Sequence, residues 1–135
     1  MKNKAGVNYF QSKHSKLYST VYSRVFCSAR LYYESLIQNP RRKPYVKSKF
    51  FDKKVFLDEF WTQILRRNLA DRRRRLSFYI CAIDLIQNTR CEPVIKYEVG
   101  KEFYEFYGIA KNGEKFVVHM RRSKVNIYFM SCFPK

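Results

Sequence analysis

The chain has 135 residues, enough for one ordinary domain. Lysine and arginine number 28 against 11 aspartate and glutamate, a net charge of +17 that points to a polyanionic partner, with nucleic acid first among them. Four glycines, four prolines and 46% hydrophobic residues exclude a low-complexity chain, and the longest apolar stretches, such as residues 76–86, fall short of the ~20 residues of a membrane helix.

Lys2 and Lys4 are followed by no apolar run of the kind a secretory signal needs. Residues 1–48 hold ten basic residues and one acid, so about half of the charge excess comes from the first third. Residues 1–44 read as a basic N-terminal extension. Its one candidate helix lies between Tyr18 and Ile37, where Val21, Val25, Leu31, Leu36 and Ile37 recur loosely. The stretch 39–44, NPRRKP, reads as a linker because two prolines bracket a basic turn.

The domain proper is expected over residues 45–135. Leu57, Phe60, Trp61 and Ile64 recur at helical spacing, with Asp58 and Glu59 in the first turn and Arg66 and Arg67 in the last, as the helix dipole favours. A second helix is expected from Asp71 to Asn88, capped by Asp71, with Leu76, Tyr79, Ile80, Ile83 and Ile86 as its inner stripe. From Val94 the apolar period becomes two, and four antiparallel strands follow, two of them joined by Asn112-Gly113, a strong hairpin signal. Phe116, Val118 and Met120 point one way and Val117, His119 and Arg121 the other; in the last strand Val125, Ile127, Phe129 and Ser131 are expected to share a face. The predicted fold class is α+β: two or three N-terminal helices packed on a four-stranded antiparallel β-meander.

Two helices leading into such a meander, on a basic chain of this size, is the layout of small nucleases of the RelE/barnase type. The words FFDKKVFLDEFWTQIL, RRRRLSFYICAIDLIQNTRCEP, FYGIAKNGEKFVVHMRR and IYFMSCFP resemble the phage-type Barnase–EndoU–Colicin–RelE superfamily over about residues 45–135. The resemblance implies a metal-independent endoribonuclease, often a toxin or phage-associated effector, acting in the cytoplasm without a cofactor. It puts the family's basic helix on Arg72 to Arg75, its penultimate-strand polar position on His119 and its terminal Ser/Thr on Ser131. One departure stands out: Gln63 occupies a place in the first helix where such proteins often offer a histidine.

RNA can be cut without metal because its 2′-OH attacks the adjacent phosphate; the protein then supplies a base, an acid and cations. His119 titrates near neutrality and is the acid/base candidate. Arg121 lies two residues on along the same strand face, Ser131 can donate to a phosphate oxygen, and Arg75 can reach over from the facing helix. Successive helical positions differ by ~100°, so Arg72, Arg73, Arg74 and Arg75 fan around the axis and cannot all meet one ligand. With Arg66, Arg67, Lys54 and Arg122, the remaining arginines of that run are candidates for binding the nucleic-acid backbone, against the plainer reading of solvated charge. Tyr104, Tyr107 and Tyr128 are candidates for stacking on bases, against core packing. Cys27, Cys81, Cys91 and Cys132 show no paired spacing and His14 and His119 stand alone, so no metal site is expected. The expected partner is RNA, with ribosome or tRNA as the open alternatives, and an acidic antitoxin or immunity protein is the further candidate. The rival reading is a basic RNA- or ribosome-binding protein that does not cut.

Overall fold

Strand signals too short to show a period change the architecture. The computed structural model describes residues 8–135, so Lys2 and Lys4 lie outside the described residues. In chain order the elements are β1 (Tyr9–Gln11), α1 (Tyr22–Ser35), β2 (Tyr45–Ser48), β3 (Lys53–Phe56), α2 (Asp58–Ile64), α3 (Leu69–Leu76) and α4 (Tyr79–Asn88). Four strands follow: β4 (Val94–Glu98), β5 (Lys101–Ile109), β6 (Lys115–Arg122) and β7 (Ile127–Pro134).

The expected helices on a four-stranded antiparallel meander, and with them the RelE/barnase-like architecture, are not what forms. Among the described residues, seven strands make one mixed, curled sheet in the order β1-β5-β6-β7-β3-β2, with β4 also on β5. Two of its pairings are parallel, β1 with β5 and β3 with β7. The strands from residue 94 onward do pair in antiparallel succession, β4 with β5, β5 with β6 and β6 with β7. The additional strands, β1 and the β2–β3 hairpin, have three and four residues each, too few for alternation to stand out.

The segment read as an extension contributes β1 and α1. Val25, Ala29 and Tyr33 of α1 are buried, and Tyr33 packs against Trp61 with ring centroids 5.3 Å apart. Ser12 donates to the buried Asp84 carboxylate at 2.8 Å, the Lys13 amide donates at 3.1 Å and Asn88 at 2.8 Å, so this charge inside α4 is fully engaged.

The expected Asp71–Asn88 helix is two helices. Asn68, not Asp71, caps α3: its backbone is extended and its side chain accepts from the Asp71 amide at 2.9 Å. The chain breaks at Ser77 and Phe78, and α4 resumes as a helix buried on nearly all sides, Cys81 to Ile86 without interruption. Against it and α2 pack the inner faces of the strands. Phe60 stacks on Phe129 at 4.7 Å and Phe78 on Phe116 at 5.5 Å. Among the described residues no helix is long and apolar enough to cross a membrane.

One irregularity re-aims the last strand. His119 pairs with Ser131 but Met120 pairs with Phe129, leaving Met130 as an extra residue, a β-bulge. Ser131 was expected on the face of Ile127 and Phe129. The bulge turns it to the opposite face instead, and Cys132 takes the core position. Val125, also expected on that face, lies outside the strand and is exposed.

Candidate nucleic-acid interface

The face of β5–β6–β7 turned away from the helices is built in three rows. Register places Glu105, His119 and Ser131 side by side on three neighbouring strands. Directly opposed residues of such strands have Cβ atoms ~4.5–5.5 Å apart. Salt-bridged Lys96 extends the row at one end, its Nζ 2.8 Å from Glu105 Oε1. Arg75 extends it at the other, donating from Nη1 to Ser131 Oγ at 2.7 Å. The bulge makes this last contact possible, because a regular strand would bury Ser131.

Aromatic rows flank this polar one. On one side the register runs Phe103, Arg121, Tyr128, Phe56, Tyr45; on the other, Tyr9, Tyr107, Val117, Phe133. Cations cover these rings. Arg75 lies 5.1 Å from the Phe133 ring centre, Arg121 5.0 Å from Tyr128, Lys54 4.6 Å from Tyr45 and Lys135 4.9 Å from Tyr107. His119 stacks on Phe103 with centroids 5.4 Å apart and planes 16° off parallel.

The electrostatics follow from these neighbours. Burial lowers the His119 pKa below its ordinary value, and the Glu105 charge offsets part of that. Burial alone would raise the Asp71 carboxyl. Hydrogen bonds from Arg74 and Arg75, with the charges of Arg75 and Arg67, outweigh it and hold the group below the usual carboxylate range. Arg75 is thereby fixed on both sides, its Nε 3.0 Å from Asp71 Oδ2 and its Nη1 on Ser131. The Arg121 Nε is buried and finds no hydrogen-bond partner among the described residues.

Of the residues singled out from the sequence, the structure brings His119, Arg121, Ser131 and Arg75 to one face. The other arginines of the run separate, as a helix requires. Arg72 turns back to donate to the carbonyls of Arg67 and Leu65, closing the end of α2. Arg74 holds Asp71 at 3.0 Å, and Arg67 lies 3.4 Å from the same carboxylate. Arg73 and Arg74 line a groove of about 400 Å³ with Lys16, Lys115 and Lys135. Arg66 is exposed beside Gln63, and Arg122 lies at the far end of β6 near Lys101 and Lys124. Lys54 covers Tyr45. Tyr107 and Tyr128 are on the open face, whereas Tyr104 is buried in the core with its hydroxyl on Glu102.

Sequence reasoning missed Glu105, Lys96, Phe103 and Phe133. The signal was present for Glu105: in KEFYEFYGIA it is the one charged residue of the Phe103–Glu105–Tyr107 set, a polar break in an aromatic stripe. No protein-family model, curated protein or solved structure matches this chain, so what the face can do rests on its own chemistry.

Proposed function

We propose that the chain is a metal-independent endoribonuclease that receives a single RNA strand on this face and cuts it at the polar row. The observation that carries the reading is the row itself: a carboxylate, an imidazole and a hydroxyl in register, ended by a guanidinium hydrogen-bonded to the hydroxyl, between two aromatic rows. Bases stack on Phe103, Tyr128, Tyr107 and Phe133, each stack contributing ~1–3 kcal/mol. The cations over the rings meet the phosphates.

Glu105 takes the proton of the 2′-OH as its oxygen bonds to the adjacent phosphorus. Protonated His119 delivers a proton to the 5′-oxygen as the P–O5′ bond breaks. The products are a 2′,3′-cyclic phosphate and a 5′-hydroxyl, and the two groups exchange roles if water then opens the ring. Arg75 and Ser131 donate to the non-bridging oxygens, where charge builds in the transition state. Arg121, held over Tyr128 two residues along, adds positive charge beside the row, and Lys96 positions Glu105. An acidic antitoxin or immunity protein would have to cover this same cationic face.

The test is purified protein with total RNA in EDTA. Discrete fragments ending in 2′,3′-cyclic phosphate are expected. Glu105→Gln and His119→Ala should each slow cutting by about 10²–10⁴-fold with RNA affinity retained. A 2′-deoxy strand of the same sequence should bind and stay whole. Because burial lowers the His119 pKa, its acid form is scarce at neutral pH, so cutting should rise as pH falls below neutrality. A second reading, RNA binding without cleavage, is favoured by Gln63, which here only donates to Glu59 at 3.2 Å. Wild-type protein that binds RNA and never cuts it decides for this second reading.

A further inference from the structure

β4 is an edge strand with an unusual profile. All five of its residues are exposed, and it pairs with β5 alone. In an antiparallel pair every second residue turns its N–H and C=O away from the partner, and on β4 no strand among the described residues receives them. Its apolar side chains are bare: Ile95 is 46% exposed, Tyr97 72% and Val99 99%. Val99 also has φ of 46°, in the turn that joins β4 to β5 with Gly100 at 73°. A β-branched residue there is strained, and asparagine or glycine is the ordinary choice. Strain and full exposure on the same valine have no account among the described residues of one copy.

We propose that β4 pairs antiparallel with β4 of a second copy, centred on Tyr97. The sequence of the strand selects that register. Antiparallel partners must point to the same face, so the two-fold axis passes through a residue. Centring on Lys96 would set Lys96 against Lys96 of the other copy. Centring on Glu98 would oppose the two carboxylates. Centring on Tyr97 sets Lys96 opposite Glu98 twice and Tyr97 beside Tyr97 of the other copy, so the charges match themselves, with the exposed Val99 of each turn following at the two ends of the pairing. Residues 94–99 are neutral as a unit, so the +17 of each copy opposes pairing only at long range, where salt screens it. The pairing closes on two copies. Its axis stands perpendicular to the sheet, so the two sheets become continuous and both polar rows lie on the same side. The proposal does not depend on the RNA reading.

Sedimentation velocity of the full chain tests it. Dimer is expected to grow with protein concentration and with salt, opposite in sign to nucleic-acid binding. Glu98→Lys and Lys96→Glu should each raise the dissociation constant about tenfold or more. Mixed together, the two variants re-form complementary pairs and should restore dimer. Val99→Asn relieves the turn and should raise the melting temperature while weakening the dimer, which separates loss of pairing from loss of folding. A wild-type monomer at every concentration and salt would overturn the proposal. So would single variants that dimerise as wild type does, a mixture that stays monomeric, or growth beyond two copies.

Discussion

The two faces of β5–β6–β7 use nearly the same residue types for opposite ends. The inner face carries Tyr104, Phe106, Phe116 and Phe129, and the outer carries Phe103, Tyr107, Tyr128 and Phe133. Inside, rings pack on rings and aliphatics, and what separates them is other apolar side chains. Outside, each ring has a charged or titratable group above or beside it, and the face is half-buried. Aromatic content alone therefore does not tell core from surface in this chain. On β5–β6–β7 the pairing of ring with cation does, because an ammonium or guanidinium over a ring keeps its hydration only where water reaches it; elsewhere Arg30 lies over the buried Tyr33 and Trp61 from the rim of the core.

The contrast is broken most directly by truncating one ring on each face. Phe129→Ala removes a fully buried side chain stacked on Phe60 and should cost ~3–5 kcal/mol in urea unfolding. Phe103→Ala removes a half-exposed ring and should cost ~1 kcal/mol or less, yet weaken RNA binding by the ~1–3 kcal/mol of one lost stack. Comparable stability losses from the two changes would erase the distinction between the faces.

A smaller effect sharpens it from the backbone side. Gly108 pairs with Phe116, and a Cβ at position 108 would lie 2.4 Å from the Phe116 ring. That ring is fully buried and stacked on Phe78, so it cannot swing aside. Gly108→Ala should lower stability by ~1–3 kcal/mol, read as a fall in melting temperature, and leave the RNA affinity of the folded fraction unchanged. A change in affinity instead would mean that the inner face communicates with the outer one.

How much of this was legible depends on length and on register. The alternation in β6 was readable because it spans four repeats of its period, and the α2 stripe of Phe60, Trp61 and Ile64 because it fills about two turns, although the helix stops at Ile64, short of the expected last turn at Arg66 and Arg67. The inner and outer sets of β6 follow from parity alone. Ser131 was not readable on its true face, since a bulge adds one residue without any glycine to mark it, and parity past Met130 inverts. The β2–β3 hairpin turns through Phe50, Phe51 and Asp52, the last at φ 52°, with neither glycine nor proline in the turn. The parallel partners β1 and β3 are joined to β5 and β7 only across long stretches of chain, a relation no local pattern carries. For the same reason Glu105 could not be joined to His119 until the strands were in register. Arg75 was set apart from the other three arginines in the sequence, but its reach acquires a geometric reason only with α3 beside β7, where Cys132 Sγ donates to the Arg75 carbonyl at 3.3 Å.

The smallest expected effect concerns the imidazole on the outer face. Burial holds the His119 pKa in the folded chain below the value of ~6.5 that it takes when unfolded. Above that value the imidazole is neutral in both states and contributes no pH dependence. As pH falls below it, the unfolded chain takes up the proton first, so folding loses stability until the folded His119 protonates too. Glu105, opposite in register, attracts the imidazolium and keeps the loss modest. Urea melts between pH 7.5 and 5 should therefore show wild type losing more stability than His119→Gln, which cannot titrate. If the two fall in parallel, His119 is hydrated in the folded chain, and the outer face is wetter than its half-buried rings imply. If wild type loses less, the Glu105 charge outweighs burial, and the acid form needed for cutting would be plentiful at neutral pH.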